Sequence, residues 1–253
     1  MYKEFKKRLK SGENLVGTIV TLNNRENVEI LTQAGFDWLF IDAEHGPFSP
    51  YDVQSLLQAA RSTPSIVRIP ALDEIWVKKI LDLGVAGLLI PQINTADEAR
   101  KVVQLCHYPP AGERGVGLAR AHNYGFSFTE YLQDSNQDLT IIVQAEHIDA
   151  VTNIKDIVAV NGVDAVLVGP YDLSASMGIP GKIENKEVQT AIKTVLNACV
   201  EENIPAGIFG VDLDAVDKYI DMGFSLIAVG IDVLFLGLGA QETCNSVKEK
   251  FKS

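Results

Sequence analysis

Four short segments place acid–base and cation-binding residue types just after apolar, β-branched runs. They are Ile41-Asp42-Ala43-Glu44-His45-Gly46, Val67-Arg68-Ile69-Pro70, Gln144-Ala145-Glu146-His147 and Gly169-Pro170-Tyr171-Asp172. Two of these segments supply a carboxylate, Glu146 and Asp172. A pair of carboxylates that leaves coordination positions open to water and substrate is a common way to hold Mg²⁺ or Mn²⁺. The other reading is that each carboxylate pairs with Arg68 or caps the helix that follows it. His45 titrates near operating pH and suits a general base. Asp42 is close enough in sequence to orient it or to cap the loop. Arg68 offers a planar fork of donors for an enolate oxygen or a carboxylate, and it also suits an ion pair with Asp42 or Glu44. Strand alternation gives Gln144 and Glu146 the parity of Ile142, so Glu146 rather than His147 is expected to face inward.

Residues like these need a scaffold that brings distant segments to one point. Apolar runs alternate with amphipathic stretches along the whole chain, the pattern of parallel strands joined by crossover helices. Eight such runs fall at 15–22, 37–41, 66–69, 87–93, 140–146, 165–169, 206–211 and 226–229. Helices are expected at 50–61, 74–83, 96–106, 188–202 and 213–222, with Gly35, Gly84 and Gly223 at helix ends. Eight strand–helix units in 253 residues predict a single (β/α)8 TIM barrel, whose active site lies at the carboxyl ends of the strands. A doubly wound sheet fits less well, because no Gly-x-Gly-x-x-Gly turn follows the first strand. The irregular stretch 108–127 is long enough to imply a role or a partner.

Composition narrows the function. A net charge of −11 argues against nucleic acid or an anionic membrane as partner and leaves a small molecule. Cys106, Cys199 and Cys244 form no Cys-x-x-Cys pair and read as buried or inert thiols on helices. The basic N-terminus is not followed by an apolar signal core, so a cytoplasmic location is expected. No lysine stands at a strand's carboxyl end, which argues against a Schiff-base mechanism. Lys78, Lys79, Lys101, Lys155, Lys193 and Lys218 fall in helical stretches, and Lys182 in a loop. Asp212 and Asp232 would repel a phosphate at the last two strands. A lyase acting on a coenzyme A thioester would need a basic patch for the nucleotide, and a non-catalytic acid-binding barrel would not need this residue set.

With these residues assembled, the chain resembles the metal-dependent pyruvate aldolases of the 4-hydroxy-2-oxoheptanedioate aldolase family, relatives of the aldolases for 2-keto-3-deoxy sugar acids. The matching segments, in order along nearly the whole chain, are Phe36-Asp-Trp-Leu-Phe-Ile-Asp-Ala-Glu-His45, Val67-Arg-Ile-Pro70, Ile80-Leu-Asp-Leu-Gly84, Ile90-Pro-Gln-Ile-Asn-Thr-Ala-Asp-Glu-Ala99, Arg114-Gly-Val-Gly117, Gln144-Ala-Glu146 and Gly169-Pro-Tyr-Asp-Leu-Ser-Ala-Ser-Met-Gly178. The resemblance implies that Glu146 and Asp172 bind a divalent cation (Mg, Mn or Co) and that pyruvate chelates it. Its carboxylate would lie on backbone amides around Gly169, Pro170, Tyr171 and Asp172. It implies that Arg68 polarises the keto oxygen, that His45 moves the proton on the aldol hydroxyl, and that Gln144 supports metal-bound water.

In the family an aspartate at the position of Asp82 partners the histidine. Helix direction puts Asp82 at the opposite face of the barrel, so the pairing requires a neighbouring subunit. A homo-oligomer follows as an expectation, with segment 233–252 exchanged between subunits in the manner of the family's hexamers. This chain lacks a Ser-Ala insertion before Leu118 and carries Tyr171 where a smaller residue is common, and the first departure borders the aldehyde side of the site.

Overall fold

The computed structural model describes residues 2–252. Eight parallel strands close into a barrel in chain order: β1 (Leu15–Val20), β2 (Trp38–Asp42), β3 (Ser65–Arg68), β4 (Gly87–Ile90), β5 (Thr140–Ala145), β6 (Ala165–Val168), β7 (Ala206–Gly210) and β8 (Leu226–Ile231). Helix α1 (Tyr2–Lys10) precedes the barrel. Around it run α2 (Arg25–Gln33), α3 (Pro50–Ala60), α4 (Glu74–Asp82), α5 (Ala96–Cys106), α6 (Phe128–Asp138), α7 (Ile148–Thr152), α8 (Ile154–Val158), α9 (Pro170–Ser176), α10 (Lys186–Glu201), α11 (Leu213–Met222) and α12 (Asp232–Lys250). The chain is therefore a (β/α)8 TIM barrel with a C-terminal helix. Among the described residues no helix is long and apolar enough to cross a membrane.

Local sequence explains the helix starts. Ser49 and Thr95 head capping boxes with Asp52 and Glu98, and Asn24, Asp73 and Asp212 accept a backbone N–H from the first turn of their helices. Strand alternation sorts the core into two layers. Inward residues such as Leu15, Trp38, Phe40, Ile66, Leu89, Ile142, Leu167 and Leu226 fill the barrel, and the outward set packs beneath the helices. Gly17 pairs with Trp38 across β1 and β2, and a Cβ there would fall 2.4 Å from the indole, so glycine makes the room the ring needs. Phe5 and Leu9 of α1 join the inner layer and close the floor, each worth about 2 kcal/mol of burial.

The differences from expectation cluster at strand ends. The first run stops at Val20 and the fourth at Ile90, because Gln92 takes a φ of 56° just after Pro91. The sixth stops at Val168, and Gly169 becomes the N-cap of α9, which puts Pro170, Tyr171 and Asp172 in a helical first turn rather than on a strand. Within the stretch 108–127, Arg120–Gly125 forms a kinked 3₁₀ turn with Asn123 and Tyr124 at positive φ. Cys106 and Cys199 are buried, whereas Cys244 on α12 is exposed, because that helix fully buries only Asp232.

Candidate functional site

Register assembles the first part of the site. Asp42 ends β2 directly beside Arg68 at the end of β3, and both side chains are buried. They meet as a two-pronged pair, Nε to Oδ1 at 2.9 Å and Nη2 to Oδ2 at 2.7 Å, with the guanidinium 5.1 Å from the Phe40 ring centroid. Asp42 Oδ1 also accepts the backbone N–H groups of Glu44 at 3.1 Å and His45 at 3.2 Å. The same carboxylate thus fixes the arginine and shapes the loop that carries the histidine. Gly46 completes that loop, because a Cβ there would lie 2.3 Å from the Asp42 carbonyl.

Glu44 supplies a contact that motif reading left as an alternative partner of Arg68. Its Oε2 lies 3.1 Å from Arg68 Nη1 and 3.8 Å from His45 Nε2, so one carboxylate oxygen stands between the two. Burial raises its carboxyl above the ordinary range, against the opposing charges of Arg68 and His45. The His45 side chain is two-thirds exposed, and Asp42 touches its backbone rather than its ring.

Glu146 follows β5 and is 2% exposed. Its Oε1 accepts the Gln92 N–H at 2.9 Å and its Oε2 accepts from Gln144 Nε2. The Gln92 donor depends on that residue's positive φ, and no side-chain pattern in the sequence announces it. Burial raises the Glu146 carboxyl to about 7; the Gln92 N–H and Arg68 oppose the rise, while the charges of Asp172 and Glu44 add to it. Gly169 gives the carboxylate its space, because a Cβ there would lie 2.9 Å from both Gln144 Nε2 and Glu146 Oε2. Asp172 is exposed in the first turn of α9, and the N-cap Gly169 offers no side chain to that turn.

These groups surround a cavity of about 240 Å³ at the carboxyl ends of the strands. Asp42, His45, Arg68, Gln144, Gly169, Pro170, Tyr171 and Asp172 all line it, and Glu146 lies against its Gln144 and Gly169 edge. Asp82 is elsewhere. It ends α4, away from the mouth, and pairs at 3.0 Å with Arg114, whose guanidinium stacks 4.4 Å from the Tyr108 ring centroid.

The donor set suits a hard divalent cation. Among the described residues no three His, Cys, Asp or Glu side chains converge as a metal cage, and neither Glu146 nor Asp172 pairs with a lysine or arginine. Gln144 Oε1 is a buried oxygen with no hydrogen-bond partner beside them. One buried carboxylate without a countercharge, a second exposed beside the cavity, and an orphaned amide oxygen are groups that a hydrated cation would satisfy.

Comparison with known proteins places this geometry among relatives. A family model described as HpcH/HpaI aldolase/citrate lyase matches residues 16–236. The chain is 40% identical over 235 residues to a 4-hydroxy-2-oxovalerate aldolase of Rhodococcus jostii, covering 92% of this chain and 91% of that one. It is 39% identical over 245 residues to a 4-hydroxy-2-oxo-heptane-1,7-dioate aldolase of Escherichia coli, covering 95% and 93%. The crystal structure of an HpcH/HpaI aldolase/citrate lyase family protein from Burkholderia cenocepacia superimposes with a TM-score of 0.94 at 37% identity, covering 97% of this chain and 99% of that one.

Proposed function

The chain belongs to the HpcH/HpaI aldolase/citrate lyase family, whose members named above are carbon–carbon lyases, and on that premise we propose a divalent-metal-dependent aldolase that joins pyruvate to an aldehyde, and cleaves the 4-hydroxy-2-oxo acid product, through a pyruvate enolate. The observation that carries this reading is the buried Glu146 carboxylate, which no lysine or arginine pairs with, beside Asp172 at the edge of a cavity that also contains Arg68 and His45.

Glu146 and Asp172 would hold the cation, which supplies Lewis acidity to the keto group adjoining the bond that breaks. Arg68 commits Nε and one Nη2 proton to Asp42 and faces Glu44 through Nη1, which leaves N–H groups free for a substrate oxygen. Locked in that position, it disperses the negative charge that builds on the keto oxygen as the enolate forms. The first-turn N–H groups of Tyr171 and Asp172 receive the pyruvate carboxylate, since no side chain caps that turn. His45, exposed at the mouth, takes the proton from the aldol hydroxyl in cleavage and returns it in synthesis.

The same proposal includes a cytoplasmic homo-oligomer, a hexamer in the manner of the family, built from one domain spanning residues 1–253. Exposed Phe235, Leu236 and Leu238 on α12 support the expectation that this helix meets another copy. Asp82 would then act on a neighbouring subunit's His45.

The test is metal-dependent exchange of the pyruvate methyl protons with deuterium by the purified protein. Exchange that stops with chelator and returns with Mn²⁺ or Mg²⁺ is expected. No exchange with any divalent metal would refute the enolate mechanism.

A further inference from the structure

Apart from Thr21 and Gln144, the part of the cavity not occupied by charged or acid–base residues is apolar. Ile19, Phe40, Leu167, Phe209 and Ile231 line it, and the Tyr171 ring leans on Phe209 at 6.2 Å between centroids. Tyr171 is 38% exposed, so this pair forms the rim. The cavity of about 240 Å³ holds roughly eight waters' volume, well beyond what the six bonded heavy atoms of pyruvate occupy. The space left over runs along these apolar residues to the rim, and the tail of an acceptor aldehyde lies there.

The charges around that path are acidic. Among the described residues lining the cavity, Arg68 is the one arginine or lysine, and Asp42 and Glu44 already pair with it. Even with a divalent cation offsetting Glu146 and Asp172, two carboxylates remain for one guanidinium, and bound pyruvate adds a further negative charge. A second carboxylate on the acceptor would lose water and meet like charge here, whereas a neutral tail buries apolar surface.

We infer that the acceptor half of the site takes an uncharged aldehyde along the Tyr171–Phe209 wall and discriminates against one bearing a second carboxylate. The inference rests on the aldolase reading above. In the synthetic direction the pyruvate methyl carbon loses a proton and bonds to the aldehyde carbon, whose oxygen gains a proton, so the two substrates account for every atom of the product.

The experiment compares kcat/KM of the Mn²⁺-loaded enzyme, at saturating pyruvate, for 4-methylpentanal and 4-oxobutanoate, which are close in shape and differ in charge. Preference for the neutral aldehyde by about tenfold or more is expected, narrowing as ionic strength rises. Equal or better use of 4-oxobutanoate overturns the inference. Phe209→Lys places a cation on the wall and is expected to shift the ratio toward 4-oxobutanoate; an unmoved ratio overturns the assignment of that wall to the acceptor. Pyruvate proton exchange on the same preparation separates the two levels. Its absence brings down the aldolase reading, while exchange accompanied by preference for 4-oxobutanoate brings down only the acceptor assignment.

Discussion

At the floor of the barrel Asp164 is 2% exposed, and Lys6 and Lys10 each approach its carboxylate to 2.9 Å. Its Oδ2 also accepts the Ile141 N–H at 2.9 Å. At the mouth Glu146 is buried just as deeply but meets one backbone N–H and the Gln144 amide, with no lysine or arginine in contact. The chain has thus buried one carboxylate with its countercharge supplied and another without it. A buried charge lacking a partner is costly, so the arrangement at the mouth is retained for something other than stability. Asp164 ties α1 to the barrel; on the proposed reading Glu146 holds a metal cation.

Replacing each carboxylate by its amide tests that contrast most directly. Glu146→Gln is expected to lower metal-dependent pyruvate exchange by about 1,000-fold or more and to remove Mn²⁺ binding seen by paramagnetic resonance. Its metal-free form should melt no lower than wild type, because an uncompensated buried charge has been removed. Retention of wild-type Mn²⁺ affinity would break the comparison.

Asp164→Asn should do the reverse. It removes the countercharge of the largely buried Lys6 ammonium, which keeps its hydrogen bond to the Leu139 carbonyl, and is expected to cost about 3 kcal/mol of stability, read by chemical denaturation. Exchange activity at saturating metal should stay within about twofold of wild type. Greater loss of activity than of stability would show that the floor participates in the chemistry.

Gly169→Ala sharpens the account of how Glu146 is placed. The added methyl meets the ends of Gln144 and Glu146 at 2.9 Å and the Glu146 Cβ at 3.1 Å, so stability should fall by about 1–3 kcal/mol, read by chemical denaturation, while metal affinity falls about ten- to a hundredfold by calorimetric titration. Unchanged affinity would mean that the glycine serves only the start of α9.

The smallest effect is expected from Glu44→Gln, which keeps the shape but removes the charge between Arg68 and His45. A fall in kcat of about three- to tenfold with KM for pyruvate little changed is expected in steady-state cleavage assays. A change confined to KM would reassign Glu44 to substrate binding.

Much of the fold was legible because alternation of β-branched runs and amphipathic stretches reports burial on both faces of parallel strands. Parity alone separated Glu146 from His147, which caps α7 instead. Strand ends were read too long at 20–22, 90–93 and 168–169, because apolar character continues past the last ladder hydrogen bond. The role of Gln92 was not legible at all, since a backbone N–H aimed by a positive φ leaves no side-chain signature.

The amino-acid order by itself determined the eight-unit barrel and the set of polar residues at its carboxyl end, because hydrophobic period and strand parity are local properties of a chain. Tertiary structure alone decided how those residues divide their partners. Register places Asp42 beside Arg68, so that aspartate grips the guanidinium and only the backbone of His45, while Glu44 faces the imidazole. The closing of the barrel leaves Glu146 buried without a lysine or arginine in contact and gives Asp164 two lysines. Electrostatic pairing depends on distance and burial between segments far apart in the chain, and neither quantity is written in the local pattern.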